Sequence, residues 1–419
     1  MRAQRTGPRE RSGSRGALRS LQVRNYRLYC MGQLASLFGT WMQTVALAWL
    51  VLELTDSGTQ VGLVTASQFV PVLVLAGPAG VLIDRFDRRR SVIGAETALL
   101  VQASLLTALV LTDTVELWML YLLAFAQGMG NAVEQPGRQA LLSELVDDRD
   151  LPNAVSLNAA LFTMARVAGP AAAAALISVS GVGLCFSINA LSFVAIIVAL
   201  AAIRPAEMHH RPRIARARGQ LREGIAYVAR TPSVRPLFVS SAILGLLSQN
   251  VNVVLPLLAK DTFGGGAGVF GTMAAITSAG SCFAAFWLAG ATAPSDRRIM
   301  VLAVLLGAAL LLTAASPTLA IALVVLPVMG FAQLGAIVTT NAANQLRSPP
   351  VMRGRAIALY FAVSSGSAAL GSFLFGGLCD AFGPRFALVV GGALSLAVAW
   401  AWAAHDRRAR TPEPAVAAG

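Results

Sequence analysis

Charge is scarce in this sequence of 419 residues, because only 13% of them are Asp, Glu, Lys or Arg. Soluble domains carry about 25% charged residues. Hydrophobic residues make up 56% of the chain, and they fall in long uncharged blocks rather than in alternating or one-faced patterns. This composition excludes an ordinary water-soluble fold, and we expect most of the chain to lie in a lipid bilayer.

Cysteine and histidine are also rare. The sequence contains Cys30, Cys185, Cys282, Cys379, His209, His210 and His405. The cysteines are far apart without a C-x-x-C spacing, so we expect free buried thiols, with a disulfide as the alternative. The histidines lie in polar connecting segments, which argues against a histidine-based metal or catalytic site in the membrane. No H-E-x-x-H or G-x-x-x-x-G-K motif occurs, so we expect neither an enzyme nor a cofactor.

The net charge of +13 comes from 33 Lys and Arg residues against 20 acids. These basic residues form short clusters between apolar blocks, unlike the single basic face of a nucleic-acid-binding protein. The pattern therefore indicates membrane topology and predicts no nucleic-acid partner.

Twelve apolar blocks are long enough to span a bilayer, which needs about 20 residues. They cover residues 26–52, 60–83, 91–111, 115–137, 154–178, 182–203, 235–259, 267–290, 299–315, 318–345, 355–379 and 385–404. Arginines concentrate in the tails and in every second loop, whereas Lys260 and Arg385 are alone on the other side. The positive-inside rule then places both termini in the cytoplasm of a plasma-membrane protein. An organellar transit peptide is the alternative for the Arg-rich start, but that start lacks an amphipathic apolar face.

The spans divide into two sets of six around one long polar segment. We predict a basic tail over 1–25, an N-terminal bundle over 26–203, a linker over 204–234, a C-terminal bundle over 235–404 and a tail over 405–419. Two helical repeats of this kind are a design of secondary transporters, which bind substrate near the midplane between the halves.

Polar residues at helical spacing run along the first, fourth, seventh and tenth spans. The candidates for substrate binding are Gln33, Ser36, Thr40, Gln43, Gln127, Asn131, Ser248, Asn252, Gln333, Thr340, Asn341 and Asn344. Matching stripes in corresponding spans favour a shared aqueous cavity. The alternative is that these groups only join helices by hydrogen bonds.

The segment Gly80-Val-Leu-Ile-Asp84-Arg85-Phe-Asp-Arg88-Arg89-Arg90 resembles the signature loop of the major facilitator superfamily. The resemblance covers about residues 24–408 and implies an all-α fold of twelve transmembrane helices in two pseudo-symmetric bundles. It also implies that Gly80, Asp84, Arg85 and Arg88 belong to a cytoplasmic latch between the halves.

Further stretches are similar to the branch that contains enterobactin exporters and macrolide efflux pumps. They are Glu134-Gln-Pro-Gly-Arg138, Leu151-Pro-Asn153, Ala165-Arg166-Val-Ala-Gly169-Pro170 and Arg353-Gly-Arg355. Gly169-Pro170 resembles part of a motif of drug/proton antiporters, although alanines replace its other glycines. The resemblance implies proton antiport and a monomer.

Arg166 is the most costly residue to place in the membrane and needs a partner or water. Glu134 and Glu96 are its expected counterions and the candidates for proton coupling. We predict a gate network of Arg166, Glu134, Arg88 and Asp84, with a static ion pair as the alternative. The resulting hypothesis is an exporter of hydrophobic or amphipathic small molecules, such as drugs, siderophores or secondary metabolites. An importer of a small nutrient is the alternative, and a membrane enzyme or sensor has less support.

Overall fold

The computed structural model describes residues 18–209, 226, 228–231, 234–248, 250–290, 294–349 and 352–410, without the side chains of 76–85, 250, 251, 289, 353, 354, 358 and 405–410. The described residues contain helices and no strands. The helices are α1 (Arg24–Thr55), α2 (Gly58–Arg85), α3 (Arg88–Leu111), α4 (Leu117–Leu145), α5 (Leu151–Ser180), α6 (Val182–Ala201), α7 (Arg235–Leu247), α8 (Asn250–Leu257), α9 (Ala267–Ala289), α10 (Asp296–Ala315), α11 (Leu319–Arg347), α12 (Arg353–Phe382) and α13 (Pro384–Arg410). Most of the predicted linker and tails lies outside the described residues.

The predicted spans correspond to these helices with two differences. The seventh span is described as two helices, α7 and α8, and ends in a π-type turn over Leu258–Thr262. The fourth span was predicted to end at residue 137, but α4 continues through Pro136 to Leu145. Eleven spans among the described residues are long and apolar enough to cross a membrane, and α4 is not one of them. At 29 residues α4 is still about 43 Å long, and polar residues such as Asn131 and Glu134 lower its hydropathy.

The two ends of the bundle differ in charge. We call the end where α1 begins the basic end, which includes Arg24 and Arg88, and the opposite end the acidic end, which includes Asp56 and Asp380. Helices α1–α6 form the N-terminal half and α7–α13 the C-terminal half.

Buried apolar side chains connect the two halves only near the acidic end of the described bundle. One cluster there contains Trp49 and Val61 of the N-terminal half together with Phe270 and Phe375 of the C-terminal half. Trp49 and Phe270 stack with ring centroids 6.3 Å apart. The clusters at the basic end are each confined to one half. The described bundle is therefore closed at the acidic end.

A carboxylate of one half caps a helix of the other at this closed end. Asp380, near the end of α12, accepts hydrogen bonds from the Gly58 N–H at 2.5 Å, the Thr59 N–H at 2.9 Å and the Ser57 hydroxyl at 2.7 Å. These donors lie at the start of α2, where backbone N–H groups have no partner within the helix. Lys260 and Asp56 add an ion pair at 2.7 Å between the halves. Asp380 thus provides in trans the cap that a helix N-terminus needs.

The cap depends on glycines that let α2 and α12 approach closely. A Cβ added to Gly376 would overlap the carbonyl of Gly58, and one added to Gly62 would overlap the carbonyl of Ser372. The neighbouring Gly377 has room, because its added Cβ would meet only the Thr59 hydroxyl at 3.9 Å. Gly62 and Gly376 are therefore needed for this close approach, whereas Gly377 is not.

We expect Gly376→Ala to open the acidic end, because overpacking a tight contact costs about 1–3 kcal/mol, which shifts an equilibrium on the order of tenfold. The readout is maleimide labelling of Cys379, which is buried in the shared cluster. Cys30, Cys185 and Cys282 are replaced by Ser in the purified protein. Gly377→Ala is the matched control and should label as slowly as the parent. Equal labelling rates in the two variants would contradict this account of closure.

Candidate substrate cavity and buried charges

A cavity of about 180 Å³ lies between the halves, from the middle of α1 toward the acidic end. Its lining combines aromatic, aliphatic and amide groups: Trp41, Thr44, Leu47, Ala48, Val51, Val61, Val64, Thr65, Gln68, Phe69 and Asn252. Asn252 was predicted from the sequence, whereas most of the other residues were missed. The polar pair Thr65 and Gln68, three residues apart on α2, is the signal that could have identified this wall.

Trp41 connects this cavity to Arg166 of α5. The Arg166 guanidinium lies over the Trp41 ring, 5.5 Å from its centroid. Phe162, one turn earlier on α5, packs edge-on against Trp41 with centroids 5.8 Å apart. Gly169 permits this arrangement, because a Cβ there would meet the Cβ of Trp41 at 2.6 Å. Helices α1 and α5 therefore form one aromatic and cationic surface beside the cavity.

The polar stripe of α1 serves mainly to join helices of the N-terminal half. Gln43 is fully buried; it donates to Gln102 of α3 at 3.4 Å and accepts from Asn189 of α6 at 2.7 Å. Thr40 donates to the Ser36 carbonyl of its own helix. For Gln43 the geometry fits the alternative of helix-joining hydrogen bonds rather than a position in the cavity wall. Gln33 and Ser36 are likewise buried.

Two amides of α11 join helices of the C-terminal half in the same way. Gln333 donates to the Leu247 carbonyl at the end of α7 at 3.0 Å. Asn344 donates to the Ser241 hydroxyl of α7 at 3.2 Å. Asn341, by contrast, lines a separate open concavity on α11 together with Gln345.

The remaining stripe residues have mixed surroundings. Gln127 and Thr340 are buried, and their Oε1 and Oγ1 atoms have no hydrogen-bond partner among the described residues. Asn131 is partly exposed on α4. Ser248 donates to the Gly245 carbonyl at the end of α7. Gln127 and Thr340 thus keep unused hydrogen-bonding capacity inside the bundle.

A compact set of charges lies inside the N-terminal half toward the basic end. Glu134 and Arg138, one turn apart on α4, form an ion pair with N···O at 3.2 Å. Glu96 of α3 and Tyr29 of α1 interact electrostatically with this pair. One carboxylate oxygen of Glu96 is buried without a hydrogen-bond partner among the described groups. Two carboxylates therefore share one arginine in a buried site.

The predicted gate network is not assembled among the described side chains. Arg88 pairs with Glu144 of α4 at 2.6 Å, Glu134 pairs with Arg138, and Arg166 has no carboxylate within 4 Å. Depth explains the difference: Arg166 lies 15 residues, about 22 Å, from the start of α5, whereas Glu134 lies 11 residues, about 16 Å, from the end of α4. The side chains of Gly80, Asp84 and Arg85 lie outside the described residues.

Arginines of the signature loop hold the N-terminal half together in this conformation. Arg89 donates to the Leu200 carbonyl at 2.6 Å and the Ala201 carbonyl at 2.7 Å, so it caps the end of α6. Asp87 caps the start of α3 by accepting from the Arg90 N–H at 2.8 Å. The described contacts of this loop are all within one half.

Two halves of six spans each, with a cavity between them, are a design of secondary transporters. A POT family transporter in complex with 5-aminolevulinic acid matches with a TM-score of 0.75 at 11% identity, covering 93% of this chain and 97% of that one. A variant of the nucleoside transporter NupG matches with a TM-score of 0.73 at 14% identity, covering 91% and 99%. At these identities the likeness shows the fold alone, and it confirms the predicted twelve-helix major facilitator fold.

The chain belongs to the transmembrane secretion effector family of the major facilitator superfamily, because the family model matches residues 15–414. This result confirms the resemblance inferred from the sequence motifs. The family and the relatives it matches are transporters and not enzymes.

Curated relatives include several efflux proteins. Macrolide efflux protein A of Streptococcus pyogenes is 25% identical over 56% of this chain and 58% of its own length. The staphyloferrin A transporter of Staphylococcus aureus is 28% identical over 57% and 61%. The multidrug efflux pump Tap of Mycolicibacterium fortuitum is 25% identical over 82% and 87%. The matches to the first two relatives therefore span about three fifths of those proteins.

We expect Gln43→Leu to lower the melting temperature of the purified protein by several degrees. The change leaves the amides of Gln102 and Asn189 buried without their partner, which costs about 1–3 kcal/mol for each group. Gln127→Leu is the matched control, because its carbonyl has no described partner to lose. A Gln43→Leu protein as stable as the control but unable to bind substrate would instead assign Gln43 to the binding site.

Proposed function

We propose that the protein exports hydrophobic or amphipathic small molecules across the plasma membrane by alternating access and proton antiport, with both termini in the cytoplasm. The observation that supports this most directly is the cavity between the halves. Its indole, phenyl and aliphatic surfaces with a few amides suit ligands that bind mainly by apolar burial. We also propose a monomer as the functional unit, as the family resemblance implies.

The distribution of charge supports the orientation. Arginines concentrate at the basic end, which the positive-inside rule assigns to the cytoplasm. The closed acidic end then faces outward, and the cavity would load from the cytoplasmic side. Efflux relatives that act on macrolides and on multiple drugs are consistent with that direction of transport.

The size of the cavity indicates that the halves must move when a larger substrate binds. A volume of about 180 Å³ is smaller than the roughly 300–1,000 Å³ of sites for drug-sized ligands. Because α1 and α2 of one half line the cavity together with Asn252 of the other half, separation of the halves would widen it. This coupling of cavity size to the relative position of the halves is what alternating access requires.

Expression of the protein should lower the accumulation of erythromycin and ethidium in drug-sensitive bacterial cells, and an uncoupler should abolish the difference. Trp41→Ala should reduce this effect severalfold, because it removes a wall of the cavity. Trp400→Ala is the matched control, since its side chain is 75% exposed on the outside of the bundle. Higher accumulation in expressing cells would overturn export in favour of the importer alternative.

Proton coupling is assigned to the cluster of Glu96, Glu134 and Arg138. Antiport needs a carboxyl that binds a proton in one state and releases it in another. Two buried carboxylates that share one arginine are suited to this, because Arg138 can fully compensate only one negative charge. The static ion-pair alternative assigns the cluster only to the stability of the half.

In proteoliposomes, Glu96→Gln should abolish uptake of erythromycin driven by a pH gradient while exchange of labelled for unlabelled erythromycin continues. Exchange needs the conformational change but no net proton movement, so it separates coupling from folding. Glu116→Gln, an exposed acid at the start of α4, is the matched control. Gradient-driven uptake at the wild-type rate in Glu96→Gln would favour the purely structural role.

A further inference from the structure

Arg166 is a cation in the centre of the membrane whose role the ion-pair cluster does not explain. It lies 15 residues from the start and 14 residues from the end of α5, so it is near mid-depth of the helix. Among the described residues it has neither a carboxylate within 4 Å nor a hydrogen-bond partner. Its guanidinium packs against the face of the Trp41 ring. A charge at this depth is costly, and such residues commonly line substrate pathways.

Trp41 places this cation next to the cavity. The ring contacts the Arg166 guanidinium and also borders the cavity that contains Gln68 and Asn252. The Arg166 side chain is partly exposed, so its donors are not fully enclosed by protein. A cation–π contact orients the plane of the guanidinium but provides no acceptor atom for hydrogen bonds from its N–H groups.

We propose that Arg166 binds the anionic group of an amphipathic substrate whose apolar part occupies the cavity beside Trp41. The proposal rests on the proposed transport function and adds to its substrates small molecules with one negative charge, such as carboxylates. A guanidinium presents paired donors that match a carboxylate in a bidentate arrangement. A single arginine suits one such group, in contrast to the several that a sugar phosphate would need.

The position of Arg166 argues that the anion comes from a substrate and not from a lipid headgroup. Arg166 is about 22 Å along α5 from the start of that helix at the basic end. The hydrocarbon layer beneath each set of headgroups is about 15 Å thick, so Arg166 lies deeper than the headgroups. A headgroup would therefore have to enter the hydrocarbon layer to reach it. Binding measurements in nanodiscs of neutral phosphatidylcholine and of anionic phosphatidylglycerol distinguish the two sources.

The test uses two probes that differ in charge but little in shape, namely 1-naphthylacetate and its neutral amide. Binding to the purified wild-type protein, measured by calorimetry in phosphatidylcholine nanodiscs, should be about tenfold tighter for the anion, the size expected for a charge-assisted hydrogen bond. Arg166→Gln should bind both probes equally, and Arg166→Lys should retain part of the preference. Arg297→Gln, which removes an exposed arginine at the basic end, is the matched control and should keep the full preference.

Equal affinity of the wild-type protein for the two probes would overturn the proposal, as would an unchanged preference in Arg166→Gln. Loss of binding only in phosphatidylglycerol would show that lipid headgroups compete for the site and would also count against it. If Arg166→Gln does not fold, the wild-type pair of probes and Arg166→Lys still decide. These assays measure binding without transport, so an anion preference in a protein that exports nothing would leave this inference standing while the proposed function fails.

Discussion

The hydrocarbon layer supplies no hydrogen-bond partners, and this constraint determines where each polar side chain of the bundle lies. Gln43 is an example, because its amide is paired on both sides with amides of α3 and α6. Gln333 is another, since it pairs with the Leu247 carbonyl at the end of α7. Both residues would be costly in lipid and both stabilise one half of the molecule. Polar residues that remain without a partner inside such a bundle are therefore the informative ones.

By this criterion the polar groups separate into two classes. The amides of Gln43, Gln333 and Asn344 are used in joining helices, which makes each half a rigid unit. Glu96 and Arg166 retain hydrogen-bonding capacity that the described residues do not use. The first lies among the helices of one half, where a proton can be exchanged without a change of helix packing. The second lies beside the cavity between the halves, where a ligand can supply the missing charge.

The sequence predicted the number, order and grouping of the helices because these follow from apolar length and from the placement of arginine. It also predicted which residues are polar within spans, but not which partner each one would find. A stripe on α1 is compatible with both a cavity wall and a bundle seam, since both need the same residue types. The hydrogen-bond partner of each polar residue depends on how far α1 is rotated toward α3 and α6. Side-chain packing determines that rotation. Thr65 and Gln68 were missed because the matching polar stripes run along the first, fourth, seventh and tenth spans. These two residues lie on α2, which is the second span.

The contacts at the basic end lie within one half, whereas those at the acidic end join the two halves. This difference allows the conformation to change at a small cost in free energy. At the basic end the described ion pairs, such as Arg88 with Glu144, lie within one half and need not break when the halves move. At the acidic end the halves share an apolar cluster, tight glycine contacts and the cap from Asp380. Because Asp380 is exposed, water can replace its hydrogen bonds when this end opens, so their net contribution is about 1.5–3 kcal/mol or less for each. Two conformations can exchange readily only if their free energies differ by a few kcal/mol. A closure built from apolar contacts, glycines and a water-replaceable cap meets that condition, whereas a buried ion pair between the halves would not.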